Sequence, residues 1–552
     1  ITASIEDAAL GNWRVSVQNA DVEEAIAVYQ AIDGVAWAEP DYIVTSQVVD
    51  CSGSNILTTD LCSYHQWGLQ NTSGNGGTPS ESNSTSNSII TTTYTLQADG
   101  TEGYDIYIDE AWVINKDCTG VTIAVVDTGV NYEHVDLQSS KWANPSVNNS
   151  SQDFYYQDTY GFDYINKRYQ ALPQAKNGEP LPRDADVHGT HVAGIIAAQG
   201  NNSKAISGVC REGATIMPLR ALSHKGGISN DLNAAIQYAS DQGAKIINLS
   251  NALNSGEQSN AVEDAIKYAK KKGVLVVAAA GNGNGGADSK KGDNNDTLAQ
   301  YPCTAPVDNI ICVAAVDSFF KLADFSNYGA TSVDMAAPGT DIISTIPGSE
   351  LILDLGAGDL PSVTFTADDT PQNAQVMYLY ATETADKGDF KLKIGDNGST
   401  TDKIFECSRD TNNACKKGSY YADISECINK ECKITYKGYK TTTPLDGSNS
   451  ADLKLKFLTT DTDATAYLDG TSMAAPFVVG VAALVWAHNP NYTYAHVKQV
   501  LHGSVTKQGV HDTTTMDDGT DASVKDHTIS GGVVNAYKAL KYITQPVMLE
   551  VN

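Results

Sequence analysis

The chain has 552 residues, 41% of them hydrophobic, a formal net charge of −29 in which Lys outnumbers Arg, and ten cysteines. That length supports two to four domains and a large core, while the acidic balance argues against nucleic acid or anionic membranes as partners and favours cations. No apolar run approaches the roughly 20 residues that cross a bilayer, so no membrane partner is expected, and with a start at Ile1 and no basic-then-apolar leader, any signal peptide is expected to have been removed or to lie outside this sequence.

Residues 1 to 48 form the first unit, with NWRVSV as a strand, Val22 to Ile32 as a short helix and VAWAEPDYIV as a closing strand. Asn71 to Gly100, rich in Ser, Asn, Thr and Gly, is expected to be a long exposed loop. VTIAVV, from Val121, is a continuous apolar run ending at Asp127-Thr128-Gly129, which is a buried strand followed by a turn. His188 opens the helix HGTHVAGIIAA. Leu232, Ala235, Ile236 and Ala239 then recur at helical spacing, stop at Gly243 and lead into the strand KIINLS. The unit repeats with Val262, Ala265, Ile266 and Ala269, a stop at Gly273, and the strand VLVVAAA, which runs to Gly281-Asn282. Alternating amphipathic helices and apolar strands predict an α/β fold: a doubly wound, mostly parallel sheet with helices on both faces.

From Leu351 to about Thr465 the alternation is lost, and short β-prone runs such as SVTFTA, VMYLYAT and FKLKI predict an inserted all-β domain. The expected division is 1–48, a small α+β unit; 49–346 and 466–552, the two parts of the main domain; and 347–465, the insertion. The last notable stretch is LDGTSMAAPFVVGV, in which Pro476 fits a first helical turn and puts Ser472 at or just before the helix start. Ser472 is there either an N-cap or a nucleophile held against a helix N-terminus.

The cysteines fall in near pairs, Cys51/Cys62, Cys303/Cys312, Cys407/Cys415 and Cys427/Cys432, with Cys118 and Cys210 left over. Short closed loops suggest disulfides in an oxidising compartment, and without a C-x-x-C pair a zinc site is not expected. Cys118 and Cys210 each precede a predicted strand, where a bridge would join neighbouring parallel strands at one sheet edge.

Ligands of a doubly wound sheet bind at the carboxyl ends of its strands, where the following helices begin, and Asp127, His188 and Ser472 all belong there. Serine is a weak nucleophile until a base takes its proton, and the base needs a carboxylate to fix its tautomer. His188 is the candidate base and Asp127 its orienter. The side chain of Asn282 and the backbone N–H of Ser472 would form an oxyanion hole.

TIAVVDTGV, HGTHVAGIIAA, VVAAAGN and GTSMAAP, in that order, resemble the four signature segments of subtilisin-like serine proteases, closest in spacing to the thermitase branch. The resemblance covers about Gly103 to Pro347 and Tyr467 to Thr544. The order Asp, His, Ser excludes the α/β-hydrolases, whose motif would need a second glycine at Ala474. The family implies a secreted serine endopeptidase, made as a self-processing zymogen, that acts as a monomer on protein and peptide substrates. It also implies that residues 1–48 are an inhibitory propeptide whose tail lies in the substrate cleft, with self-cleavage near Thr45 to Asp50. This copy looks short at its start, and weaker inhibition than usual is expected.

The same resemblance implies calcium (Ca2+), held by Asp60, by Asp136, by the side chain of Asn202 and by the carbonyls of Gln199, Lys204 and Ile206. All-oxygen ligation suits such a hard cation. A second family site near Asp163 is not expected, because Lys167 and Arg168 stand where acidic residues would be. His191, three residues after His188, has no third ligand and is expected to be structural. Candidate substrate-binding residues are Ser250, Asn251, Ala252 and Gly281. Family members often carry Ser-Leu-Gly-Gly where this chain has Ser250-Asn251-Ala252-Leu253, and a Cβ at Ala252 takes up space that glycine leaves to substrate. A reading from another class is an extracellular adhesion or carbohydrate-binding protein with an inert protease-like core, in which the β insertion binds the ligand.

Overall fold

A computed structural model describes, with side chains, residues 66–69, 71, 101–145, 160–165, 187–347 and 464–542, apart from 203, 223–225, 254–255, 284–290, 508, 511, 517–518 and 520. Backbone alone is described for the strands Thr2–Ala9, Asn12–Gln18, Ile43–Ser46, Pro79–Ser86 and Ile89–Leu96, for those between Glu350 and Thr459, and for the end of the helix Ala536–Thr544. The expected helix at Val22 to Ile32, Asp60, Lys167, Arg168 and the pairs Cys51/Cys62 and Cys407/Cys415 lie outside the described residues, as does Cys427.

Seven parallel strands form the central sheet, in the order Met335–Pro338, Ile310–Val316, Leu275–Ala279, Ile246–Leu249, Thr122–Asp127, Thr215–Arg220, Phe162–Asp163. Successive strand residues point to opposite faces, and here both faces are covered. Ile123 and Val125 pack with Val192, Ile196, Met473 and Val478 from the helices Val187–Ala197 and Thr471–His488. Ala124 and Val126 pack with Leu232, Ile236, Val262 and Ile266 from the helices Ser229–Asp241 and Asn260–Lys271. Gly243 and Gly273, at φ 83° and 79°, take the left-handed conformation that ends a helix, as their spacing predicts. The α/β sheet covered on both faces is therefore the fold.

The helix Thr471–His488 is long and apolar enough to cross a membrane by length and composition, which corrects the expectation that no run reaches that size. As 89% of it is buried within the protein, it is a core helix.

Two expectations change. Asn71 to Gly100 is not one long loop: Pro79–Ser86 and Ile89–Leu96 form an antiparallel hairpin, and Ile90 and Ile89 pair with Ile352 and Leu353. Its polar composition suggested a loop, but the β-branched run IITTTYTL suits an extended chain. Near the N-terminus, Thr2–Ala9 pairs with Asn12–Gln18, adding a strand before the expected one.

The strands between Glu350 and Thr459 belong to antiparallel sheets, one of six strands that includes the hairpin and one of four. The chain enters and leaves this region side by side: Ile342–Thr345 pairs antiparallel with Thr465–Leu468, and Ile346 N–H donates to Ala464 O at 3.0 Å. The returning strand runs almost directly into the Ser472 helix.

Cys118 and Cys210 are bridged, with Cα atoms 5.7 Å apart, just ahead of the adjacent parallel strands Thr122–Asp127 and Thr215–Arg220. Cys303 and Cys312 form the second described bridge.

Candidate active site

Asp127 is the last residue of its strand and is 0% exposed; His188, the second residue of its helix, is 3% exposed. His188 Nδ1–H donates to Asp127 Oδ1 at 2.7 Å, which fixes the ring and leaves Nε2 as the basic nitrogen. Thr128 N–H donates to the same carboxylate oxygen at 2.7 Å. A helix begins one residue before His188, and the approach is tight: a Cβ on Gly189 would lie 2.1 Å from Gly129 O.

Ser472 is not the N-cap. The helix starts at Thr471 after Gly470, whose φ of 149° makes the entry turn, and no side chain caps it. Pro476 is consequently the sixth helical residue, not a first-turn residue. The Ser472 hydroxyl donates to Ser250 O at 3.1 Å. Ser250 directly follows the strand Ile246–Leu249, a sheet neighbour of the Asp127 strand, so the serine lies at the same end of the sheet as the acid–imidazole pair.

Asn282 Oδ1 accepts from both the backbone N–H and the hydroxyl of Thr471, each at 2.9 Å. A backbone donor on that oxygen fixes the amide orientation. The Nδ2 at the other end is buried and has no hydrogen-bond partner among the described residues. Thr471 also accepts from Gly281 N–H at 3.1 Å. Thr471 therefore ties the Asn282 turn to the residue preceding Ser472, a role that sequence reading missed although it lies within the GTSMAAP segment.

The candidate substrate-binding residues divide. The edge strand Asn251–Leu253 pairs antiparallel with Ile43–Ser46, in the register Asn251↔Ser46, Ala252↔Thr45 and Leu253↔Val44. On its other side Ile43–Ser46 pairs with Gly226–Ile228. An extended segment of the chain's own N-terminal region thus lies between two strands, and the rest of the expected cleavage region, 47–50, lies outside the described residues. Asn251 and Ala252 are 0% exposed, and Asn251 Nδ2 donates to Val126 O at 2.8 Å, next to Asp127. Gly281, at φ 106°, has its N–H on Thr471 and its carbonyl on Asn327 N–H, so both backbone groups are engaged within the protein.

Asp136 is 0% exposed and accepts from Asn202 Nδ2 at 2.8 Å and from Ile206 N–H at 2.9 Å. Gln199 N–H donates to Asp136 O, and Lys204 N–H to Asn202 Oδ1. The five described members of the expected cation set are thus gathered, while Asp60 lies outside the described residues. No cluster of three or more His, Cys, Asp or Glu side chains suited to a metal occurs among the described residues. Asp163 is held by Arg220 Nη1 at 3.3 Å in a buried ion pair.

His191 is structural. Its Nε2–H donates to Ala466 O at 3.0 Å, and burial pushes its pKa down to about 3. His134 does the same to Ala464 O at 2.9 Å, its pKa lowered by burial to about 4. Both neutral rings therefore hold the strand that leads to Ser472.

The peptidase S8 model, described as the subtilase family, matches residues 118–385 and 398–524. A thermophilic serine proteinase of Bacillus sp. (strain AK1) is 37% identical over 244 residues, covering 44% of this chain and 50% of that protein. Thermitase of Thermoactinomyces vulgaris is 35% identical over 300 residues, 54% of this chain and 87% of its own length. A halolysin-like extracellular serine protease, Nep, of Natrialba magadii is 34% identical over 238 residues, 43% of this chain and 37% of that protein. The chain thus spans half the length of the first of these relatives and still less of the third.

Proposed function

This chain belongs to the subtilase family, and from that premise we propose that it is a secreted serine endopeptidase acting through an acyl-enzyme. In this reading His188 Nε2 takes the proton of Ser472 as the hydroxyl attacks a peptide carbonyl, and Asp127 stabilises the imidazolium that results. Asn282 Nδ2–H and the Ser472 backbone N–H receive the oxyanion. His188 then hands its proton to the leaving amine, and water releases the acyl group by the same steps. The observation that carries the reading is Asn282: its oxygen is fixed on Thr471 while its buried amide is left with no partner among the described residues, as a donor reserved for a developing charge would be.

Residues 1–48 are assigned as an inhibitory propeptide, supported by the pairing of Ile43–Ser46 with Asn251–Leu253 and Gly226–Ile228. Residues 347–465 are assigned as an insertion into a catalytic domain formed by 49–346 and 466–552, supported by the paired stem Ile342–Thr345 and Thr465–Leu468. Secretion is supported by the two described disulfides and by the extracellular relative Nep. A calcium ion fits the oxygen-rich loop: Asp136, Asn202 and the carbonyls of Gln199, Lys204 and Ile206 would hold it, with Asp60 from the N-terminal side. When bound it would tie the loop down, not take part in the chemistry.

A fluorophosphonate probe tests the central assignment. Stoichiometric labelling of the processed protein, abolished by Ser472→Ala, is expected. A folded, processed protein that stays unlabelled would overturn the peptidase reading in favour of an inert core with a binding role.

A further inference from the structure

Pro476 stands four residues after Ser472 within one helix. Lacking an N–H, it cannot supply the bond that the Ser472 carbonyl would receive, and its ring crowds that carbonyl. Ser250 Oγ takes the vacant place, donating to Ser472 O at 2.8 Å. Ser250 Oγ in turn accepts from Asn248 Nδ2 at 3.0 Å. All three residues, Asn248, Ser250 and Ser472, are 0% exposed, so bulk water is no substitute. Since Ser250 O also accepts the Ser472 hydroxyl, Ser250 grips this residue at both its backbone and its side chain.

Asn248 lies on the strand Ile246–Leu249, between the Asp127 strand and the strand leading to Asn282. Its Oδ1 is buried with no partner among the described residues, a penalty that an apolar residue in this interior strand would avoid. We propose that Asn248 and Ser250 are positioning residues, which replace the helix bond removed by Pro476 and thereby fix the first turn from which Ser472 projects. This inference rests on the peptidase reading above.

The test is a set of variants compared for kcat, KM, fluorophosphonate labelling rate and melting temperature. Ser250→Ala is expected to lower kcat and the labelling rate about tenfold with KM nearly unchanged, because a small misaim of a nucleophile is costly. Asn248→Leu should give a smaller loss in the same parameters, and Ser250→Thr, which keeps the hydroxyl but adds a methyl group to a fully buried site, should retain more kcat than Ser250→Ala. The decisive arm is Ser250→Ala combined with Pro476→Ala: the second substitution restores a backbone N–H that can donate to the Ser472 carbonyl, so most of the lost kcat should return. A Ser250→Ala enzyme with normal kcat, a loss confined to KM or melting temperature, or a double variant no better than Ser250→Ala overturns the proposal. Failure of the wild type itself to be labelled is a separate result, which overturns the peptidase reading and the relay with it.

Discussion

Asp341 and Asp469 are 128 positions apart in the chain, yet in space they meet just before Ser472: Asp341 N–H donates to Asp469 Oδ1 at 2.5 Å. Burial first, then the charges of Asp469 and Asp317, push the Asp341 carboxyl up to about 7. The folded protein therefore holds this proton more tightly than the unfolded chain does, and stability is lost as pH rises from about 4 through about 7. Asp341→Asn removes that loss and keeps the backbone N–H; Asn also tolerates the left-handed φ of 52°. Urea unfolding should find the variant more stable by about 1–2 kcal/mol at pH 8, after allowance for solvent screening, and equal to wild type below pH ~4. A variant no more stable at pH 8 would show that the acid pair is relaxed. Such pairings are not legible in sequence, because nothing local to either aspartate points to the other. Asp127, His188, Ser472 and Asn282 were legible as candidates because each sits in its own short motif. The roles of Thr471, Ser250 and Asn248 were not, since each depends on a partner brought across the fold.

The strand Thr465–Leu468 shows the same limit at the scale of elements. Interior strands announce themselves as apolar runs, and the helix stops at Gly243 and Gly273 follow from spacing. What holds this short strand comes from elsewhere: Ile342–Thr345 beside it, His134 Nε2–H on Ala464 O and His191 Nε2–H on Ala466 O. Helix-face residues do the same for its partner strand, with His191 O accepting from Ser344 Oγ and Thr190 O from Thr345 Oγ1. The stem is thereby tied to the His188 helix on one side and continues into the Ser472 helix on the other. Burial depresses both histidines, His134 to about 4 and His191 to about 3. The unfolded chain binds these protons first, so stability is complete above the ordinary histidine value near 6.5 and is lost as pH falls towards 4 and then 3. Each ring should cost about 1.4 kcal/mol per pH unit in that window. His134→Gln keeps an amide donor without the titration, and its unfolding free energy should fall less steeply than wild type between pH 6 and 4. Parallel slopes would mean that His134 is already protonated or solvated in the folded state. The hairpin Pro79–Ser86 and Ile89–Leu96 was hidden for another reason: its first strand, PSESNSTS, has the composition of a loop, and its strand state depends on pairing with Ile89–Leu96, which pairs in turn with Glu350–Gly358.

Across the whole molecule, the chain between the His188 helix and the strand Thr215–Arg220 is fastened at two places. Gly208, Val209 and Cys210 return along the helix end, with N–H groups on Ala198 O, Ile195 O and Ile196 O, and Cys210 is bridged to Cys118. Ahead of that bridge, Asn202 and Ile206 close on the buried Asp136 carboxylate, each with a neutral donor. A divalent ion there would neutralise the carboxylate and join the loop to Asp60 in the N-terminal part, which lies far from it in sequence. A ligand that binds only the folded state stabilises it by about 2.7 kcal/mol when free ion is a hundredfold above its dissociation constant. In a protein of this size, with an unfolding entropy of about 2.1 cal/mol/K per residue, that amounts to a shift of roughly 2–3 °C. Excess chelator should therefore lower the melting temperature of the Ser472→Ala protein, which cannot digest itself, and calcium should restore it. Asp136→Asn should melt below the chelated temperature and show no response to calcium, because it loses the charge that selects a divalent ion and also one of the two carboxylate oxygens that accept from Asn202 Nδ2 and Ile206 N–H. If the Ser472→Ala protein melts identically in chelator and in calcium, the loop is held by Asn202, Ile206 and the neighbouring disulfide alone, and the ion has no structural part in this chain.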